Sequence, residues 1–233
     1  MKKIIVVMSI CFLFTIQTFA RGFLPSVRKE NKYHISLLGG ITNTNLTSKS
    51  SFPTFGPYDN SKIGLLFGGT IEKDLCNIIS LETGLFYIQS GGSSDTQTGT
   101  DEHGNELGDF HFIQDLHYLE IPFSLKMNFK KNYLNSFILM GPNVGILLSA
   151  HEKFKSDYKT SFNKNEDFKD KLSTYNISFD FGIGFEYQII ERLTICSIFK
   201  YSTGLINQIK DNSVKATQKS KDLKVLIGPS FAF

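Results

Sequence analysis

Histidine, serine and aspartate side chains offer the most reactive chemistry in this sequence. The five histidines are His34, His103, His111, His117 and His151. Ser149 and Asp109 lie near three of them in the predicted strand pattern, and serine, histidine and aspartate together can form a hydrolase triad. A triad is recognised by its geometry, however, and no nucleophile motif surrounds Ser149. The sequence therefore predicts no catalytic residue and no enzyme activity. We expect the histidines to lie at a membrane interface or in the interior of the fold.

A second candidate is an acidic segment, DTQTGTDEHGNELGD at residues 95–109, which contains no lysine or arginine. Its carboxylates are Asp95, Asp101, Glu102, Glu106 and Asp109. Clustered carboxylates can bind a hard cation such as Ca²⁺. Their spacing differs from that of an EF-hand loop, so the favoured interpretation is a solvated acidic loop without a metal or cofactor.

A third candidate, HEKFKSDYKTSFNKNEDFKDKLS at residues 151–173, mixes basic and acidic side chains. Its lysines are Lys153, Lys155, Lys159, Lys164, Lys169 and Lys171. Lysines at a membrane surface can contact the phosphates of lipopolysaccharide. Mixed charge of this kind more often keeps a loop solvated. Both interpretations stay open at this point.

The amino terminus has the features of an export signal. Lys2 and Lys3 precede an apolar run, and the run ends at a small-x-small site closed by Ala20. This order predicts a cleaved signal peptide at residues 1–20, export through the Sec pathway, and a short periplasmic segment at residues 21–32. Removing the two lysines lowers the formal charge from +3 to +1 (+3 − 2), which gives no case for nucleic-acid binding.

The rest of the chain has the pattern of β-strands. In HYLEIPFSLKMNF, residues 117–129, apolar and polar side chains alternate, which is typical of a strand with one apolar face. Eight such strands are predicted, at residues 33–43, 61–73, 76–91, 110–129, 135–150, 174–189, 191–205 and 219–233. Pro122, Pro142 and Pro229 fall within these segments, and we expect a bulge or kink at each because proline cannot donate to the ladder.

The lengths of the connections indicate the kind of sheet. The links after strands two, four and six are short, whereas those after strands one, three, five and seven are long. Outer-membrane barrels have this arrangement, with short periplasmic turns, long extracellular loops and an even number of strands. We therefore predict that residues 33–233 form an all-β, eight-stranded antiparallel transmembrane β-barrel with a packed polar lumen, in the outer membrane of a diderm bacterium.

The two faces of each strand then have opposite surroundings. Eight apolar side chains are predicted to face lipid: Leu119, Ile121, Phe123, Leu125, Met127, Phe179, Phe181 and Ile183. Charged side chains on the other face are predicted to form a lumen network: Glu82, Glu120, Lys126, Asp180, Glu186, Lys200 and Lys224. Buried charges need partners, so we expect these groups to neutralise one another, with Asp180 and Lys200 as one cross-strand pair.

Four segments carry a resemblance to a known family. They are HYLEIPFSLKMNF (117–129), FILMGPNVGILLSA (137–150), DFGIGFEYQI (180–189) and FKYSTGLINQI (199–209). Together they resemble the outer-membrane β-barrel family of Bacteroidetes that includes PorT. The terminal aromatics Phe231 and Phe233 resemble the signal read by the barrel-assembly machinery. The resemblance implies an integral outer-membrane protein, and PorT itself is associated with type IX secretion.

The function is less constrained by the sequence than the fold. The favoured hypothesis is a non-enzymatic barrel with a structural or interaction role, carried by its extracellular loops and by contacts with a secretion-system or cell-surface partner. The alternatives are a PorT-type secretion accessory, a small-solute porin and a soluble lipocalin-like binding barrel. The lumen of an eight-stranded barrel is normally filled, which disfavours the porin.

Overall fold

A computed structural model describes residues 33–49, 60–100, 106–131, 133–156, 164–210 and 217–233. The predicted signal peptide and the segment that follows it lie outside the described residues. The described part contains a short 3-10 helix, Lys169–Lys171, and ten strands. The strands are β1 (Tyr33–Lys49), β2 (Asn60–Asp74), β3 (Ile79–Ser93), β4 (Gln97–Thr100), β5 (Glu106–Lys131), β6 (Leu134–Ser156), β7 (Lys164–Asp167), β8 (Tyr175–Ile190), β9 (Leu193–Gly204) and β10 (Thr217–Ala232).

Eight of these strands close into an antiparallel barrel. The order around the wall is β5, β3, β2, β1, β10, β9, β8 and β6, and β6 pairs back onto β5. The first and last strands are neighbours: the Phe233 backbone N–H donates to the Tyr33 carbonyl oxygen at 2.8 Å, and the Tyr33 N–H donates to the Phe233 carbonyl at 3.3 Å. The predicted all-β fold with eight antiparallel strands is confirmed.

Alternation along the strands separates an outward apolar face from an inward face. In β8, exposed and buried side chains follow one another from Tyr175 to Phe185. The eight apolar side chains predicted to face lipid all occupy outward positions. Five of them are exposed, namely Phe123, Met127, Phe179, Phe181 and Ile183, and the other three are half-buried between their neighbours.

The lumen is packed, but the prediction that it is polar is only partly right. A buried apolar cluster fills one level of it, formed by Leu38, Leu66, Phe86, Ile88, Phe137, Leu139, Cys196, Ile198 and Leu226. These residues share the inward face with charged residues of the same strands, such as Glu72 on β2 and Lys200 on β9. An eight-stranded lumen is only wide enough for side chains, so apolar groups pack there as they would in a soluble core.

Two short strands extend the β5–β6 hairpin at the long-loop end. β4 pairs with β5 from Glu106 to Phe110, and β7 pairs with β6 from His151 to Phe154. On its barrel side, β6 pairs with β8 only as far as Ile146. The hairpin therefore continues past the β8 wall as a four-stranded sheet in the order β4, β5, β6, β7. The sequence analysis did not predict this sheet.

The three prolines leave the strand register unchanged, so the bulges expected there are absent, and a kink at each stays a prediction. The register on each side of Pro122, Pro142 and Pro229 is the same, and the register shifts of the long strands lie elsewhere, for example between His117 and Tyr118. On one side of each proline two consecutive residue pairs of the ladder are missing, whereas the pairing on its other side continues. The missing N–H donor interrupts the ladder locally, which does not require an extra residue.

Among the described residues, no helix is both long and apolar enough to cross a membrane. Cys76 and Cys196 are both free thiols, and Cys196 is buried in the apolar cluster of the lumen.

Candidate functional site

Lys126 is the centre of the first charged group in the lumen. Its ammonium lies 2.7 Å from Glu72 Oε2 and 2.5 Å from Glu186 Oε1, and the side chain is almost completely buried. The same ammonium lies 4.1 Å from the centroid of the Phe137 ring, within the range of a cation–π contact. Three strands far apart in sequence are thereby joined across the lumen through one cation.

A second charged group lies on β5, β8, β9 and β10. Lys224 Nζ lies 2.7 Å from Glu120 Oε2, and Asn143 Nδ2 donates to the same oxygen at 2.6 Å. Lys200 Nζ lies 3.7 Å from Asp180 Oδ2. These contacts hold both carboxylates at buried positions of the lumen.

The lumen contains more carboxyl groups than lysines. Within the described residues, the lumen lysines are Lys126, Lys200 and Lys224, and the carboxyl side chains beside them are Glu72, Glu82, Glu120, Asp180, Glu186 and Asp222. Three lysines face six carboxyl groups, so the expected neutralisation by lysine covers only part of the set. A hydroxyl donor serves Asp222, because Thr44 Oγ1 donates to Asp222 Oδ1 at 2.6 Å. Glu82 Oε1, in contrast, is buried without a hydrogen-bond partner among the described residues.

Sequence reasoning missed two of these acids. Glu72 and Asp222 are each at most 5% exposed, and both occupy inward positions of their strands. Glu72 alternates with the inward Thr70, and Asp222 alternates with the inward Lys224. The same alternation that identified Lys224 could therefore have found both.

An apolar cap covers the lumen at the long-loop end. Phe168 and Leu172, on either side of the 3-10 helix, are buried in a cluster with Leu46, Leu116, Tyr118, Leu147 and Ala150. The cap is fastened to the neighbouring loop, because Leu172 forms an isolated bridge with Ile209 and the Lys210 N–H donates to the Lys171 carbonyl at 3.1 Å. The loop between β7 and β8 therefore closes this end of the barrel.

The opposite end of the lumen has a cavity of about 180 Å³ near the short turns. His34, Glu72, Asp74 and Glu186 are among the residues that line it. His34 Nε2 lies 3.5 Å from Asp74 Oδ2. The inner end of the cavity is formed by the carboxylates that hold Lys126, so the cavity stops at the first charged group.

The structure does not assemble the hydrolase-like residues into a triad. His117 and Ser149 are opposite each other on β5 and β6, but within the described part of the chain the Ser149 hydroxyl makes no hydrogen bond to His117. His117 Nδ1 lies 2.6 Å from Tyr87 Oη instead. Asp109 accepts a hydrogen bond from Thr98 Oγ1 at 2.8 Å, eight residues away from His117 along β5.

The acidic segment is only partly described. Asp101, Glu102 and His103 lie outside the described residues. Asp95 Oδ1 accepts a hydrogen bond from Asn60 Nδ2 at 2.7 Å. Across the residues that are described, no group of three or more His, Cys, Asp or Glu side chains is arranged to hold a metal ion.

The lysines of the third candidate segment occupy several different places. Lys153 lies 2.7 Å from Asp115 on the outer wall of the barrel. Lys171 Nζ lies 5.0 Å from the centroid of the Phe168 ring in the cap. Lys155 and Lys169 are exposed, whereas Lys159 lies outside the described residues. These lysines therefore do not act as one group.

The family is shown by a match over most of the sequence. A family profile described as "Outer membrane protein beta-barrel domain" matches residues 17–210. The chain belongs to this family. The protein is accordingly an outer-membrane β-barrel, and the barrel sits in the lipid bilayer of the outer membrane.

Several solved structures have a similar backbone. A major outer membrane protein of Thermus thermophilus is 13% identical, with 88% of this chain and 100% of that chain covered and a TM-score of 0.47. Ail of Yersinia pestis is 14% identical, with 88% and 100% covered and a TM-score of 0.42. The protease OmpT of Escherichia coli is 8% identical, with 91% and 99% covered and a TM-score of 0.39. A comparison with curated protein sequences found no match.

Proposed function

We propose that this outer-membrane barrel is a non-enzymatic interaction protein whose working surface is its long-loop end, facing the cell exterior. The observation that carries the proposal is the four-stranded sheet of β4 to β7, which continues beyond the barrel wall. Extra strands that add nothing to barrel closure are well suited to presenting a binding surface on a rigid base.

The packed lumen supports an interaction role over a transport role. The apolar cap at Phe168 and Leu172 and the charged group at Lys126 both occupy the path that a solute would take. Two contacts support a non-enzymatic role: His117 Nδ1 lies against Tyr87 Oη, and Asp109, eight residues away along β5, accepts a hydrogen bond from Thr98. Nucleophilic catalysis needs a base bonded to its nucleophile and oriented by a third group.

The test is site-specific photo-crosslinking in intact cells. A crosslinking amino acid is placed at exposed positions of the long-loop end, Thr98 on β4 and Asp170 on the cap, and at Asn77 in the β2–β3 turn. We expect discrete adducts from the two loop-end positions and none from Asn77. Adducts from Asn77 alone would contradict the proposal.

The PorT-type role is the second candidate, favoured by the sequence resemblance alone. This role predicts crosslinked adducts at Asn77, on the short-turn side of the barrel, together with loss of secreted cargo in a deletion strain. Secretome analysis of that strain distinguishes the two functions, because an interaction barrel of the cell surface leaves cargo export intact.

A further inference from the structure

Asp115 lies on the outer wall of the barrel although its carboxylate is largely covered. Its neighbours Gln114 and Leu116 are completely buried in the lumen, so alternation places Asp115 on the opposite face. The ammonium of Lys62 contacts Asp115 Oδ1, and the ammonium of Lys153 lies 2.7 Å from Oδ2. Two lysines share one carboxylate, which leaves an excess positive charge on this part of the wall.

Two histidines complete the group. His151 is directly opposite Asp115 in the β5–β6 register, and His117 is the next outward residue along β5. On β6, Lys153 is the next outward residue beyond His151, and it is opposite Ile113 of β5. We call this set the outer basic cluster: Lys62, Asp115, His117, His151 and Lys153.

Charged side chains of both signs lie beside the cluster. Asp167 on β7 is opposite His151, but it is exposed, and its Oδ1 accepts a hydrogen bond from the Lys169 backbone N–H at 2.9 Å. Lys155 is exposed on the same face, two residues beyond Lys153. Within the cluster itself, two lysines stand against one acid before either histidine is protonated.

The outer basic cluster begins at the edge of the apolar belt. On β5 the outward apolar side chains run from Leu119 to Phe129. At ~3.3 Å per residue and a tilt of ~40°, this run spans ~25 Å, which is the height of the apolar band of outer-membrane barrels. Phe67, Tyr87 and Leu119 are register partners and form an apolar row across β2, β3 and β5. On β5 it is the last apolar row before His117, whereas on β2 the exposed side chains of Leu65 and Ile63 lie further toward the long loops. His117 follows directly beyond that row.

From this geometry we propose that the outer basic cluster binds the phosphate group of an acylated glycolipid in the outer leaflet. The proposal rests on the proposed orientation, in which the long loops face the exterior. The two ammonium groups donate charge-assisted hydrogen bonds to the phosphate oxygens. The acyl chains pack against the apolar row that contains Phe67 and Leu119. An anion with an attached hydrocarbon is the ligand that matches a cationic site directly above an apolar surface.

The test is lipid binding to the purified full-length barrel in detergent, measured by native mass spectrometry. The probes are diphosphorylated lipid A, the same lipid without phosphates, and inorganic phosphate. We expect the double variant Lys62→Gln/Lys153→Gln to bind diphosphorylated lipid A roughly tenfold more weakly, the size of effect given by losing charge-assisted hydrogen bonds. The dephosphorylated lipid should bind the unaltered protein about as weakly as diphosphorylated lipid A binds the double variant.

The matched control is Lys219→Gln/Lys221→Gln, which removes the same charge from exposed positions of β10 near its long-loop end. It should bind lipid A as the unaltered protein does. Equal weakening in both double variants would overturn the site, and so would unchanged binding in the first. Competition by inorganic phosphate alone would overturn the assignment of a lipid. A heat-dependent gel shift checks that each variant is folded. If the double variant does not fold, the single variant Lys153→Gln, which keeps the Lys62–Asp115 contact, replaces it in the binding measurement.

Discussion

At the scale of single residues, Lys126 is the lumen side chain whose replacement should lower the free energy of unfolding most. Replacing it by methionine keeps the volume but leaves Glu72 and Glu186 buried without their cation. Removing one partner of a buried ion pair costs about 3–5 kcal/mol, so we expect Lys126→Met to lower the free energy of unfolding by about that amount. The measurement is urea unfolding of the refolded barrel, followed by the heat-dependent gel shift.

Lys219→Met is the control for this substitution, since it makes the same chemical change at an exposed position of β10. It should alter the free energy of unfolding by less than about 0.5 kcal/mol, as for most surface changes. Equal stability of the two variants would contradict a structural role for the Lys126 group. Lys200→Met should also destabilise the barrel, but less, because Lys200 lies 3.7 Å from its acid.

The inward position of the charged residues could be predicted from sequence, but their pairing could not. Alternation alone assigns Lys126 and Glu186 to the lumen. The contact between them crosses from β5 to β8, which are not neighbours in the barrel wall. Sequence gives the face of a side chain but not how far it reaches across a lumen, so the prediction included adjacent strands only.

At the scale of the strands, each of two prolines follows a glycine that is essential to the local geometry. A Cβ on Gly141 would overlap the Phe123 carbonyl oxygen, and a Cβ on Gly228 would overlap that of Leu37. These carbonyls face the positions where Pro142 and Pro229 lack an N–H donor. The strands therefore approach closely at the interrupted rungs, and only glycine leaves room.

We therefore expect Gly141→Ala and Gly228→Ala each to destabilise the barrel by about 1–3 kcal/mol, the usual cost of overpacking. Gly39→Ala is the control, because the nearest atom to its added Cβ is the Leu66 carbonyl oxygen at 4.0 Å. Since alanine restricts the unfolded chain more than glycine does, the control should be neutral or slightly stabilising. Urea unfolding checks all three variants, and indistinguishable midpoints would contradict the close approach.

The eight wall strands were predictable because each has a long alternating pattern. β4 and β7 were not, because their sequences, QTGT and KNED, have no apolar face. Their strand conformation depends on the edges that β5 and β6 offer beyond the barrel, and tertiary context of this kind decides short polar strands. The cap was hidden for a similar reason, since Phe168 and Leu172 are isolated apolar residues in a charged segment.

At the scale of the whole molecule, the lumen is obstructed at three successive levels. The cap closes the long-loop end, the apolar cluster around Phe137 fills the interior, and the Lys126 group bounds the cavity near the short turns. Each obstruction is built from different side chains. Removing one should therefore leave the path closed.

This arrangement predicts that the barrel does not conduct ions in planar bilayers. The double variant Phe168→Ser/Leu172→Ser disrupts the cap and should also show no ion conductance, because the two deeper levels stay in place. A 16-stranded porin, whose lumen is an aqueous channel, is the positive control for insertion and recording. Steady conductance of the unaltered protein would contradict the packed lumen. Conductance of the double variant alone would instead make the cap a gate, with the deeper levels able to move aside, and would favour a transport role over an interaction role.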